Sequence, residues 1–326
     1  MKAAQKLVHP AISGTKLKII NFALLIGVLS FVYTLNLSEA KAQSSRGFTV
    51  SPPSLKFSLK PGQKTERSLK ITNNTETKLE FTASVEDFVV TNKEGTPELL
   101  PPGTLPNNRY AASTWSAVIP DTFTIEPGKS FMTTLYIQVP GNASPGGHYF
   151  AAAIKPLGEG ALTTSGASIN TVIGSLVYLT VEGEVKESAR VISFFTKPLF
   201  EFGPIPLTTE IHNFGDIHVL PKASVETKDL FGRKAFSFAL DNLNIFPGTS
   251  RIYKNSWETK WLFGRYVANL EGYYGANNKL PLAASLVFWV IPYRLILAVL
   301  LAVTIVVVIY FVIKKRQEPP EEIVEE

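Results

Sequence analysis

Between Gln43 and Tyr293 apolar and polar residues alternate in short runs, and no helical period is sustained. Ser68–Thr72 (SLKIT) and Thr133–Val139 (TTLYIQV) change character at every second position, which puts one set of side chains on an inward face of a strand. Comparable runs lie at 79–90, 149–154, 175–181, 207–212, 223–227, 265–270 and 286–291, separated by Pro, Gly and Asn. Many short strands at this spacing predict an all-β fold of antiparallel sandwiches rather than a parallel α/β sheet. The expectation is two tandem immunoglobulin-like β-sandwich domains, at about 44–184 and 185–290. The Gly/Ser/Thr-rich stretch 158–168 (GEGALTTSGAS) reads as a long loop inside the first domain, because 175–181 reads as that domain's closing strand.

The alternation ends near Tyr293. Leu295 to Ile313 carries no charged residue and is followed at once by Lys314, Lys315 and Arg316. About 20 apolar residues at about 1.5 Å rise span a hydrocarbon core of about 30 Å. The pattern therefore predicts one transmembrane helix over 293–313, with 314–326 as a cytoplasmic tail, since basic residues stay inside. Pro292 and Tyr293 directly follow the last strand, so the second domain is expected close to the bilayer, with Trp289 and Tyr293 at the interface. At the other end, Lys2, Lys6, Lys16 and Lys18 precede the apolar run 19–34, and Ala40-Lys41-Ala42 follows. That order predicts a signal peptide over 1–42, with an uncleaved anchor of the same orientation as the alternative. Either way the sandwiches face outward, in a single-pass protein of the cell membrane.

Three Pro-Gly pairs punctuate the strands: Pro61-Gly62, Pro127-Gly128 and Pro247-Gly248, each followed by polar residues and a strand. Proline sets φ at the first central turn position and glycine supplies the positive φ of the second, so each predicts a tight turn. Thr72-Asn73-Asn74-Thr75 and Asn213-Phe214-Gly215-Asp216 end comparable strands in the two halves, as neighbouring strands of a sandwich would. The sequon matches at Asn73 and Asn142 are read as turn chemistry.

Charge changes the picture little. The net +5 comes from the ends, because Gln43–Tyr293 holds 23 Lys/Arg against 21 Asp/Glu. No basic patch points to nucleic acid. Cysteine is absent, which removes disulfides, thiolate ligands and thiol nucleophiles and favours a bacterial surface protein with a self-sufficient core.

The chain shows no recognisable nucleophile, metal or cofactor motif, so no catalytic, cofactor-binding or metal-binding residue is assigned and no cofactor is expected. His9 falls in the signal segment; His148, His212 and His218 lie in or beside strands. His212 and His218 flank a turn and could face each other, but only Asp216 is near as a third ligand. Glu86 and Asp87 are adjacent, so on a strand they point to opposite faces and cannot share a substrate. Gly146-Gly147-His148-Tyr149 reads as a glycine turn entering a strand. Trp115, Trp257 and Trp261 are read as packing residues.

Taken together, these motifs resemble the WxL-interacting proteins of Gram-positive cell surfaces. The resemblance runs through Phe48–Pro52, Lys60-Pro61-Gly62-Gln63 with Ile71-Thr72-Asn73, Trp115 ahead of Ile125–Gly128, and Val139-Pro140 to Tyr149. It continues through Asn213–Val219 with Pro221, Leu230-Phe231-Gly232 and Pro247–Arg251. It implies a peptidoglycan-binding-type first domain and a partner-binding-type second domain, with surface proteins bearing WxL domains as partners; ligand residues are not carried over. The expected function is a non-enzymatic, membrane-anchored binding or scaffold protein that associates with cell-wall polymer (peptidoglycan) and surface proteins. A chaperone-like assembly factor that works by strand donation is the first alternative, and a wall-active enzyme the second.

Overall fold

A computed structural model describes residues 47–100, 109–157, 163–164, 167–168, 172–275 and 279–317. The expected signal segment, most of the stretch 158–168 and the end of the tail lie outside the described residues. The first half forms β1 (Phe48–Ser51), β2 (Ser54–Leu59), β3 (Lys64–Asn73), β4 (Leu79–Val89), β5 (Glu98–Leu99), β6 (Ser116–Ile119), β7 (Thr122–Ile125), β8 (Ser130–Gln138), β9 (Gly146–Leu157), β10 (Thr163–Thr164), β11 (Ala167–Ser168) and β12 (Ile173–Val181). The second forms β13 (Ala189–Phe195), β14 (Leu199–Phe200), β15 (Ile205–Asn213), β16 (Lys222–Lys228), β17 (Lys234–Ala239), β18 (Ser250–Trp257), β19 (Gly264–Tyr274) and β20 (Leu280–Val290). Helix α1 (Tyr293–Gln317) follows; its Tyr293–Lys314 portion is long and apolar enough to cross a membrane.

Among the described residues the fold is all-β up to that helix, apart from one 3-10 turn at Ser113–Trp115, and its halves repeat one strand plan. In the first, β1-β3-β8-β6 make one sheet and β2-β12-β9-β4-β5 the other, with β7 on β4. In the second, β13-β15-β18 face β14-β20-β19-β16-β17. Both open with a chain that changes sheets. β1 pairs antiparallel with β3 and then β2 runs parallel to β12; likewise β13 pairs with β15 and β14 runs parallel to β20. The first half has in addition β6, β7 and the small β10–β11 pair, for which the second has no counterpart among the described residues.

Alternation explains most strands. In β2, Leu55, Phe57 and Leu59 turn inward while Ser54, Lys56 and Ser58 face water. β15 buries Ile205, Leu207, Thr209, Ile211 and Asn213 in turn. Each buried aliphatic or aromatic side chain contributes about 1.5–3 kcal/mol. One core gathers around Phe81, Phe150, Leu69 and Leu135, the other around Ile205, Leu207, Ile211 and Phe288.

β9 breaks the rule, being buried continuously from Gly146 to Ile154. Its Phe150, Ala152 and Ile154 enter the first core, whereas Tyr149 and Ala151 belong to a separate cluster with Phe88, Val90, Tyr178 and Phe246. Phe246 comes from the second half. A strand covered on both faces reads as an unbroken apolar run, which is what HYFAAAI is.

The corners of the two sandwiches match atom for atom. Asn73 and Asn213 are both 0% exposed. Asn73 Nδ2 donates to the carbonyls of Thr77 and Ile125, and its Oδ1 accepts from Thr75 N–H. Asn213 Nδ2 donates to Ile217 and Ile245, and its Oδ1 accepts from Gly215 N–H. Each asparagine is also engaged by a Pro-Gly turn: Gly128 N–H donates to Asn73 O and Gly248 N–H to Asn213 O, both at 2.9 Å. The turn glycines take the expected positive φ, +81° at Gly62, +67° at Gly128 and +71° at Gly248. Asn73 is thus turn chemistry, as expected.

Candidate functional site

Two places bring together residues that are distant in sequence: the joint between the sandwiches and a groove on the first.

The joint is built on Tyr149. Its ring packs against Phe246 at 4.9 Å and Phe88 at 6.0 Å, and edge-on to His218 at 5.6 Å. Its hydroxyl accepts from the His218 backbone N–H at 2.7 Å and lies 3.3 Å from His218 Nδ1, to which it donates when the neutral imidazole carries its proton on Nε2. Burial pushes the Tyr149 hydroxyl well above its ordinary value, so it stays protonated. Burial and then the charge of Lys56 hold His218 down at about 4. Around this centre, Gly147 N–H donates to Asp216 O at 2.9 Å and Ile252 N–H to Lys93 O at 2.9 Å. Lys93 pairs with Glu210 at 2.8 Å, holding that carboxyl below its ordinary value, and Arg109 pairs with Asp216 at 3.3 Å. A Cβ at Gly147 would meet the Tyr149 hydroxyl oxygen at 2.0 Å. The Gly146–Tyr149 segment therefore does enter a strand as expected, and it is also the face on which the second sandwich sits.

The groove, about 870 Å³, lies across β3, β8 and β6. Trp115 and Ala117 line one side, Lys64, Glu66, Tyr136 and Gln138 the other. Trp115 is half-buried and packs on the His148 imidazole at 4.6 Å. His148 in turn contacts Ser144 O at 3.1 Å, and desolvation lowers its pKa. β6 ends its sheet: Ser116–Ile119 pair with β8 on one side, and no described strand takes the other. The equivalent edge of the second sandwich, β18, is met by the Lys93 carbonyl of the first. The four-residue strand at 116–119 escaped the sequence reading because so short a run (SAVI) carries too little alternation to register.

The other candidates resolve as follows. Glu86 binds Lys155, while Asp87 accepts from Ala112 N–H and Ser113 N–H at 2.8 Å, so the adjacent carboxylates do separate. His212 contacts Ser250 Oγ at 2.9 Å and Phe214, whereas His218 belongs to the joint, so the two are not held face to face. Among the described residues no three His, Cys, Asp or Glu side chains gather as a metal site would require. Trp257 is 4% exposed and stacks on Phe236, as expected of packing. Trp261 corrects its expectation: at 68% exposure it stands in water, because it lies in a loop beyond the last strand register rather than on an inward face.

No protein-family model and no curated protein matches the sequence. Similar solved structures include the class 5 fimbriae chaperone CfaA, with 13% identity over 76% of this chain and 100% of that one, TM-score 0.39. The CupB2 chaperone of Pseudomonas aeruginosa gives 11% identity over 74% and 100%, TM-score 0.34. The Salmonella enterica SafA pilin–SafB chaperone structure gives 12% over 74% and 96%, TM-score 0.35. A likeness this distant carries no function across.

Proposed function

We propose that this chain is a non-catalytic, single-pass surface protein that holds an extended segment of a surface-protein partner on the open edge of β6. The supporting observation is the pairing of that free edge with the adjoining groove. An added strand gains backbone hydrogen bonds from the edge, and its alternate side chains find Trp115 and Tyr136. This joins the scaffold reading to the strand-pairing chemistry of the chaperone-like alternative. α1 crosses the membrane with Lys314, Lys315 and Arg316 inside, so both sandwiches face outward. The resemblance to WxL-interacting proteins agrees with such a placement. Among the described residues Glu66 is the one carboxylate lining the groove, and hydrolysis of a wall glycan ordinarily needs two, which favours binding over cleavage.

A second reading, wall polymer across the open sheet face, is favoured by two aromatic rings set among Lys64, Glu66 and Gln138, an arrangement suited to stacking and hydrogen bonding with sugars. The test is capture by the detergent-solubilised full chain, against surface-protein extracts and purified sacculi in parallel. Trp115→Ala should reduce capture of the true ligand by about tenfold. Capture of neither, or release of soluble wall fragments, would overturn the binding reading.

A further inference from the structure

The second sandwich carries its exposed apolar side chains mainly at one end, and strand registers identify that end as the one from which α1 leaves. Gly264 pairs with Val290, so the loop before β19 lies level with the last residue of β20. Lys228 pairs with Val267, so the turn after β16 projects the same way. Leu199 pairs with Trp289, and Gly203 N–H donates to Lys260 O at 3.0 Å, which ties the β14 region to the same loop. Only Ile291 and Pro292 separate β20 from α1, and Ile291 N–H is anchored to Phe200 O at 2.8 Å.

On this end Phe231 is 78% exposed, Phe263 71% and Trp261 68%, joined by Leu230, Trp289 and Tyr293. Several large apolar side chains held together in water mark a contact surface rather than ordinary scatter. The tips also share a charge pattern. Arg233 lies over the Phe231 ring at 5.1 Å, Lys260 over Trp261 at 5.7 Å and Arg294 over Tyr293 at 5.7 Å. Of the acids close by, Glu201 pairs with Arg294, and Asp229 binds Arg233 together with the N–H groups of Phe231 and Arg233, while Glu258 at the start of the 258–263 loop is exposed. Those Asp229 bonds, with Gly232 at φ +77°, hold the turn in shape with Phe231 outward.

We propose that this end of the second sandwich docks into the headgroup layer of the leaflet that α1 enters, through the Leu230–Phe231 turn and the Trp261–Phe263 loop. Aromatic rings beside cations match that layer, where ring bodies meet acyl chains and cations meet phosphates. The helix leaves two residues after the sheet, so the loops cannot be far from the bilayer. Docking at several points turns a flexible tether into a fixed mount and sets the direction in which the first sandwich projects. The proposal rests on α1 crossing the membrane.

The cysteine-free chain permits single labels. Phe231→Cys and Phe263→Cys, each with a polarity-sensitive fluorophore, are compared in full-length protein reconstituted into phosphatidylcholine/phosphatidylglycerol vesicles. Val303→Cys in α1 and Lys60→Cys in a first-sandwich turn serve as references. Blue-shifted emission quenched by bromolipid is expected at 231, 263 and 303, and water-like emission at 60. Quenching at 303 with water-like signals at 231 and 263 overturns the docking while leaving the span intact. No quenching at 303 overturns the span and the docking with it. A shift at 231 and 263 that vanishes when protein is diluted to about one copy per vesicle assigns the surface to a second copy, which also overturns it.

Discussion

The two sandwiches share a strand plan and a buried-asparagine corner, yet they dispose of their loose ends differently. The first adds β6 as the fourth strand of one sheet and leaves that strand's outer edge open beside a groove. The second has no such strand; its β18 edge is met by the Lys93 carbonyl of its neighbour, and its apolar excess is gathered at the end beside α1. Edges are hazards unless covered or used, so the same scaffold has been closed in one copy and left available in the other. The common frame carries stability, and the additions carry what distinguishes the halves.

The sharpest test of this comparison is the joint that makes the halves one unit. Phe246 belongs to the second sandwich but is buried against Phe88, Tyr149 and Tyr178 of the first. Phe246→Ala should cost about 3–5 kcal/mol. Calorimetry of the full chain should then show one unfolding transition resolving into two. A single transition merely shifted downward would mean the halves are coupled elsewhere.

Equivalence of the corners comes next. Asn73→Ala and Asn213→Ala each strand one buried carbonyl, of Ile125 or Ile245, and one part-buried carbonyl, of Thr77 or Ile217, and should each lower stability by about 1–3 kcal/mol. Denaturant unfolding checks whether the two losses agree. A large loss at one position only would make the repeat geometric rather than energetic.

Acid should act on the joint before it acts on either core. Unfolded, His218 takes up a proton near 6.5; folded, it does so near 4. The unfolded state therefore binds more protons across that interval, so stability falls as pH drops from about 6.5 to about 4 and His218 adds nothing further below that. The loss is about 1–3 kcal/mol for a group that keeps some contact with water. Lys56 repels the added charge, and protonated Nδ1 can no longer accept from Tyr149. His218→Gln, monitored over the same pH range, should flatten this dependence; an unchanged slope would place its origin elsewhere, with His148 the next group to examine.

The smallest effect separates scaffold from addition. Gly128→Val and Gly248→Val each force a β-branched residue to positive φ and should cost about 1–3 kcal/mol. Trp115→Ala, at a half-buried rim, should alter stability less than either while reducing ligand capture. Thermal melting of the three variants, read beside the capture assay, would break the distinction if Trp115→Ala proved the most destabilising.

Much of this architecture was legible without coordinates. Alternation in β3, β8, β15 and β16, the three Pro-Gly turns and the uncharged run before Lys314 each report a local preference: side chains of a strand face two ways, glycine tolerates positive φ, and a lone helix that crosses a bilayer must be apolar. Such preferences are written residue by residue, so sequence alone determined the fold class and the candidate span. The groove, the joint and the apolar end were decided only by tertiary structure. Trp115 and Tyr136 line one groove because β6, which follows Trp115, pairs with β8, and Phe246 meets Tyr149 across 97 positions because two sheets turn toward each other. The unbroken HYFAAAI run signalled that β9 is covered twice, but not by what. A side chain's neighbours along a strand are set by the chain itself; its neighbours across an interface depend on which faces remain apolar after every sheet has formed, and that is known only once all of them have.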